Sequence, residues 1–165
     1  MVTRSDIAPG TDAVAPGGAP IIGAEYHTSD GPGPEVMAAD TLVGDSVVNN
    51  ASESLGDIKA IMLDVTSGRI AYAVLTFGGL FGIGSKLFAI PWSALTLDAA
   101  EKRFILDVPK ERLENAPGFD KDHWPSMADA KWANEIHTYY NVRPYWDDVR
   151  TEDRDMRVTG RGSTY

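Results

Sequence analysis

Glycine, serine and lysine in close order are the raw material of a phosphate cradle, and this chain carries them at Gly78-Gly79-Leu80-Phe81-Gly82-Ile83-Gly84-Ser85-Lys86. A P-loop ends in Gly-Lys-Ser or Gly-Lys-Thr and opens a helix whose first N–H groups hold the anion. Here the order is Gly84-Ser85-Lys86, and Leu87-Phe88-Ala89-Ile90 after it is a strand-like apolar run stopped by Pro91 and Trp92. The dinucleotide fingerprint fails too, because Gly82-x-Gly84 needs a third glycine where Leu87 stands. These mechanics argue against nucleotide binding. They leave Gly79, Gly82 and Gly84 the task of turning the chain between two strands, with Pro91 and Trp92 closing the second.

The remaining reactive side chains do not assemble in sequence. His27, His123 and His137 are far apart and lack ligand spacing, and no His-Glu-x-x-His occurs. His123 follows Asp122, a potential base pair, but reads as a solvated loop histidine; His137 reads as a surface or boundary residue of a helix. Asp57 and Asp64 lie an odd number of residues apart in one predicted strand, hence on opposite faces, which suits no shared acid–base step. Asp64 is better placed as a turn acceptor for the backbone of Thr66-Ser67-Gly68, where Gly68 supplies a positive φ. Asp147-Asp148 has no calcium-loop pattern around it, and Ser85 and Ser93 have no neighbouring base. With no cysteine in 165 residues, thiolate chemistry, disulfides and cysteine metal sites are excluded together. The expectation is a protein without catalytic residues, cofactor or metal.

The elements that would carry these residues fall into three parts and a tail. Residues 1–39 hold Pro9, Pro16, Pro20, Pro32 and Pro34, with Arg4 alone against five acids, and read as a flexible arm. Ile21, Ile22 and Tyr26 are its one apolar cluster, the only means it has of adding a strand to the body. Residues 40–110 read as all-β, with six short strands at Thr41–Val48, Gly56–Val65, Ile70–Phe77, Lys86–Ile90, Leu95–Leu97 and Arg103–Val108. Short strands at even spacing with glycine turns suggest a small barrel, which hides its sheet edges. Residues 111–148 are helical. Ser126 and Asp129 resemble a capping arrangement ahead of a helix over 127–140, whose stripe is Met127, Ala130, Ala133, Ile136 and Tyr140. Residues 149–165 form a polar tail.

The net charge of −9 argues against a nucleic-acid partner. No apolar run reaches the ~20 residues of a membrane span and no signal peptide is visible, so a cytoplasmic location is expected.

Four consecutive segments, Leu55-Gly56-Asp57-Ile58-Lys59-Ala60-Ile61-Met62-Leu63-Asp64, Gly68-Arg69-Ile70-Ala71-Tyr72-Ala73-Val74-Leu75, Gly79-x-x-Gly82-x-Gly84 and Ala89-Ile90-Pro91-Trp92, resemble a PRC-barrel domain in order and spacing. That family is named for the H subunit of photosynthetic reaction centres and a ribosome maturation factor. The resemblance implies a six-stranded β-barrel and a protein–protein contact role without enzymatic activity. It also implies a stand-alone bacterial type, since the arm is too rich in proline and glycine to form a membrane helix or a further domain.

Two segments carry the expected contacts. Phe119, Trp124, Trp132, Tyr139, Tyr140, Tyr145 and Trp146 crowd the C-terminal part. Trp132, Tyr139 and Tyr140 subtend too wide an arc for one stripe, so some of them, with Trp146, are expected to anchor a homo-oligomer. Leu80, Phe81 and Ile83 on the glycine loop offer a second apolar patch, or fold over the barrel's open end. Two other function classes stay open at this point. One is a peripheral accessory factor of a photosynthetic or other electron-transfer membrane complex; the other is a small-ligand sensor with Trp92 and Tyr72 lining the barrel mouth.

Overall fold

The computed structural model describes Val14 and residues 17–23, 35–77 and 86–147. The fold is mainly β with a C-terminal helix, as the strand pattern predicts. Its elements are β1 (Ile21–Ile22), α1 (Ala39–Leu42), β2 (Ser46–Val48), β3 (Ser54–Asp64), β4 (Arg69–Phe77), β5 (Lys86–Pro91), a 3-10 turn (Trp92–Ala94), β6 (Leu95–Asp98), β7 (Arg103–Leu106), α2 (Lys110–Glu114) and α3 (Ala130–Tyr139).

Seven strands form one sheet in the order β1-β6-β7-β2-β3-β4-β5, where the sequence suggests six. The extra strand comes from the arm. Ile21 and Ile22 lie parallel to Leu97 and Asp98, and the carbonyls of Pro20 and Ile22 accept from the N–H groups of Leu97 and Ala99 at 2.8 and 2.9 Å. Part of the arm expected to be free is therefore docked, because an exposed strand edge on β6 offers donors that Pro20 and Ile22 satisfy without needing a long apolar run. Among the described residues the ladder does not pair β1 with β5, so the sheet curls around its core without hydrogen-bonded closure.

Local chemistry places the breaks. Thr41 sits in α1 and not in a strand, its hydroxyl donating to the Ala38 carbonyl at 2.7 Å, and the β2 strand begins only beyond Gly44. β4 lies between β3 and β5 and is buried over Ala71–Leu75. Covered on both faces, it reads as a nearly unbroken apolar run. Val47, Leu55, Phe88, Ile90, Leu95 and Phe104, each at most 1 % exposed, fill the interior, and Trp92 packs its ring edge-on to Phe104 at 5.6 Å.

Gly56 permits the tightest approach between strands. Its φ is +130°, and a Cβ there would collide with the Thr76 carbonyl oxygen of β4. Only glycine lets β3 lie against β4 at this point, which makes the long hairpin possible.

Outside the sheet, Leu87 and Phe119 exchange backbone hydrogen bonds at 2.8 and 2.9 Å. This strip tacks the chain after α2 to the outer edge of β5. α3 then returns across β5 and β4. It opens at Asp129, whose carboxylate accepts from the Trp132 N–H at 2.9 Å; the expected cap at Ser126 supplies only a backbone carbonyl, to the Asp129 N–H. The helix is accordingly shorter than 127–140.

Candidate functional site

The β3–β4 hairpin ends in a turn that its own residues lock. Asp64 Oδ1 accepts from the N–H groups of Thr66 and Ser67 at 3.0 and 3.2 Å, and the Asp64 carbonyl accepts from Gly68 N–H at 2.8 Å. Gly68 has φ +74°, so the bend is one glycine enters without strain. The Ser67 N–H, more than any other group, holds the Asp64 carboxyl below its ordinary range, with Tyr145 and Thr66 acting in the same sense. The carboxylate is thus committed to the turn in its ionised form.

Tyr145 fastens the end of the described chain to this hairpin. Its hydroxyl donates to Asp64 Oδ2 at 3.2 Å, and its carbonyl accepts from the Arg69 guanidinium at 3.0 Å. Burial and the neighbouring Asp64 charge push the Tyr145 hydroxyl up to about 12, so it remains a donor at any physiological pH.

Beside it, rings from three elements meet. Tyr72 of β4 lies edge-on to Trp132 at 5.4 Å, to His137 at 5.5 Å and to Tyr145 at 6.3 Å; Trp146 lies edge-on to His137 at 5.0 Å. Such tilted contacts place the positive edge of one ring against the negative face of the next.

His137 is the centre of this hub and not a surface residue: it is 2 % exposed, with Nδ1–H donating to the Ala133 carbonyl at 2.8 Å. The sequence reading missed it because a histidine on a mixed helix face looks polar. Its spacing held the signal, since Ala133, Ile136, His137 and Tyr140 follow the three–four steps of a buried stripe. Burial drives its pKa down, against the pull of the Ala133 hydrogen bond and the Asp147 charge. The ring is therefore neutral, packed as an aromatic.

The expected contact residues separate accordingly. Tyr140 is sealed in the core at 8 % exposure, which corrects its reading as an outward anchor. Trp132, Tyr139 and Trp146 are half-buried. The Tyr139 hydroxyl donates to the Arg112 carbonyl, and the Arg112 guanidinium donates back to the Tyr139 carbonyl, so this ring staples α2 to α3. Trp124 is 40 % exposed, stacked at a tilt on Phe119. Leu80, Phe81 and Ile83, with Gly79, Gly82 and Gly84, lie outside the described residues. Trp92 faces Phe104 while Tyr72 faces the hub, so the two do not line one mouth. His123 pairs with Asp120 at 2.9 Å and not with Asp122. Among the described residues, no group of three or more His, Cys, Asp or Glu is placed to hold a metal ion, and no helix is long and apolar enough to cross a membrane.

Between the hairpin turn, the start of α3 and the Tyr145-Trp146 turn runs an open groove of about 690 Å³. Met62, Tyr72, Met127, Tyr145 and Trp146 line its walls, and Leu63 and Val65 form an apolar ridge along one side. Val65 is 90 % exposed and Leu63 60 %, although the groove beside them is apolar. Asp64 lines it as well, while its cross-strand partner Arg69 is tied to the Tyr145 carbonyl. Thioethers, rings and branched aliphatic side chains dominate this lining, with Asp64 and Thr66 among its polar members.

A family model of the PRC-barrel domain matches residues 34–113. No curated protein matches the chain. The matched span covers α1 through most of α2 and stops before α3, so the hub and much of the groove are built by the segment beyond it.

Proposed function

Residues 34–113 are a PRC-barrel domain, and from that premise we propose that the protein is a non-enzymatic contact module that assembles with other polypeptides, foremost with copies of itself. The observation that carries this reading is the exposed ridge of Leu63 and Val65 beside the groove walled by Met62, Met127 and Trp146. An aliphatic pair this exposed contributes little to the fold it sits on. Next to an apolar concavity it forms the kind of patch that marks binding surfaces.

The hairpin that presents the ridge is anchored by Asp64, Tyr145 and Arg69, so the surface is held in place before any partner arrives. Preorganisation of this kind lowers the ordering cost of association. The reactive groups nearby are already engaged: Asp64 in its turn and His137 in its helix. That supports binding over chemistry.

Sedimentation velocity on the full chain tests the reading. A dimer or larger species in the micromolar range is the expected result. A monomer at every concentration would remove self-association from the proposal.

A further inference from the structure

We infer that the groove between the β3–β4 turn and α3 binds a small neutral molecule with an apolar body and one hydrogen-bond acceptor, which meets the Tyr72 hydroxyl. The inference goes beyond the contact role proposed above and does not depend on self-association. It starts from one atom. Tyr72 is 1 % exposed and lines the groove, yet its hydroxyl has no hydrogen-bond partner among the described residues. The neighbouring hydroxyl, that of Tyr145, already donates to Asp64. A buried donor without a partner costs stability, and a site that holds one is short of an acceptor. Burial, with Tyr145 beside it, raises the Tyr72 pKa, so the group stays a donor at physiological pH.

The groove has room for a molecule that brings the acceptor. Its most deeply buried lining residues besides Tyr72 are Ala71 of β4 and Ala133 of α3, whose short side chains leave a hollow between strand and helix. At about 690 Å³ the space matches sites for small molecules. Solvent does not reach the hydroxyl, so the acceptor has to pass side chains that yield. Met62 and Met127 of the lining, half-buried and unbranched, suit that task.

Charge selects a neutral ligand. Among the described residues, Asp64 is the one charged member of the lining, and it repels an anion. A cation finds that carboxylate already accepting from Thr66, Ser67 and Tyr145, and meets a hydroxyl donor where it needs an acceptor. Arg69, across the ladder from Asp64, is engaged by the Tyr145 carbonyl. A ketone, ester or amide on an apolar frame satisfies the hydroxyl without burying a charge.

The test uses the full chain and probes that share a naphthalene frame: 2-acetylnaphthalene, 2-methylnaphthalene, 2-naphthoate and 2-naphthylmethylammonium. Titrations are followed by amide chemical shifts, which report affinity and place together. 2-Acetylnaphthalene is expected to bind saturably, to move the amides of Thr66, Tyr72 and Ala133, and to bind more tightly than its companions. Tyr72→Phe should weaken it by about 3- to 10-fold, the worth of one hydrogen bond, and leave 2-methylnaphthalene unchanged. Removing an unpartnered oxygen does not weaken the fold, so lost affinity in this variant reads the ligand contact. Ala130→Leu, at an exposed lining position at the start of α3, should weaken both neutral probes by about tenfold or more by filling the groove.

Failure of 2-acetylnaphthalene to bind, shifts confined to amides away from the groove, or equal affinity for the Tyr72→Phe variant overturns the inference. Tighter binding of either charged probe overturns the neutral ligand. The self-association proposed above stands or falls separately, on the sedimentation result.

Discussion

Gly56→Ala tests whether the long hairpin that presents the groove depends on one backbone position. Two costs add there. A φ of +130° lies where side chains other than hydrogen are strained, worth about 1–3 kcal/mol. The new methyl would also collide with the Thr76 carbonyl oxygen and approach a Leu75 methyl at 3.4 Å, forcing β3 and β4 apart at an overpacking cost of about 1–3 kcal/mol. Together, about 3–5 kcal/mol is expected, a large share of the ~5–15 kcal/mol that holds a domain folded. The melting temperature should fall by about 6–20 °C.

Gly68→Ala is the internal control. Its φ of +74° carries a similar backbone penalty, but nothing lies within 4 Å of the added carbon. Its loss should be only about 1–2 kcal/mol. Thermal unfolding followed by circular dichroism on both variants separates strain from collision. If the two variants melt together, close packing of β3 on β4 at Gly56 is not what the position requires, and the account of the hairpin fails.

Two further outcomes follow from the hub. His137 is held neutral in the folded state by burial, so its folded pKa lies below the unfolded value near 6.5. The unfolded chain then binds more protons, and stability should be full above pH 6.5 and decline as the pH drops below it. Urea midpoints at pH 7.5 and 5.5 check this; His137→Phe should flatten the difference, and an unchanged slope in that variant would remove the histidine as its cause. Tyr72 is 1 % exposed and its hydroxyl has no hydrogen-bond partner among the described residues, a burial that costs about 1–3 kcal/mol, so Tyr72→Phe should raise stability by about 1 kcal/mol. A loss of stability in that variant would show a partner for the hydroxyl.

The strands were legible because their signals are local. Apolar runs bounded by Gly56, by Thr66-Ser67-Gly68 and by Pro91-Trp92 mark β3, β4 and β5 to within a few residues, and glycine at a positive φ is a property of one position. β1 was less legible, since two isoleucines form a strand only when an edge such as β6 is available, and that edge is a product of the fold. The same holds for the groove. Val65 reads as the end of an ordinary strand until the Tyr145-Trp146 turn is laid beside it, 80 positions later in the chain. The crowding of aromatics was visible, but not its direction: Tyr140 turned inward and Tyr139 became a staple, because Arg112 of α2 stands opposite α3.

The division between the matched barrel and the segment beyond it also bears on how the groove is built. The PRC-barrel span ends at Leu113, and the rings that pack on Tyr72 of β4, those of Trp132, His137 and Tyr145, all lie beyond it. The segment that follows covers that tyrosine with Trp132, His137 and Tyr145, and in doing so adds Met127 and Trp146 as the second wall of a groove whose first wall is the β3–β4 turn. The covering and the wall are the same event. A substitution that loosens the hub, such as His137→Asp, should therefore weaken the proposed self-association and the sheet together, because Ile136 and Tyr140 of the extension share one core with Phe88, Phe104 and Leu95. A variant that loses association while its sheet unfolds at the wild-type midpoint would show instead that the barrel folds independently of the extension.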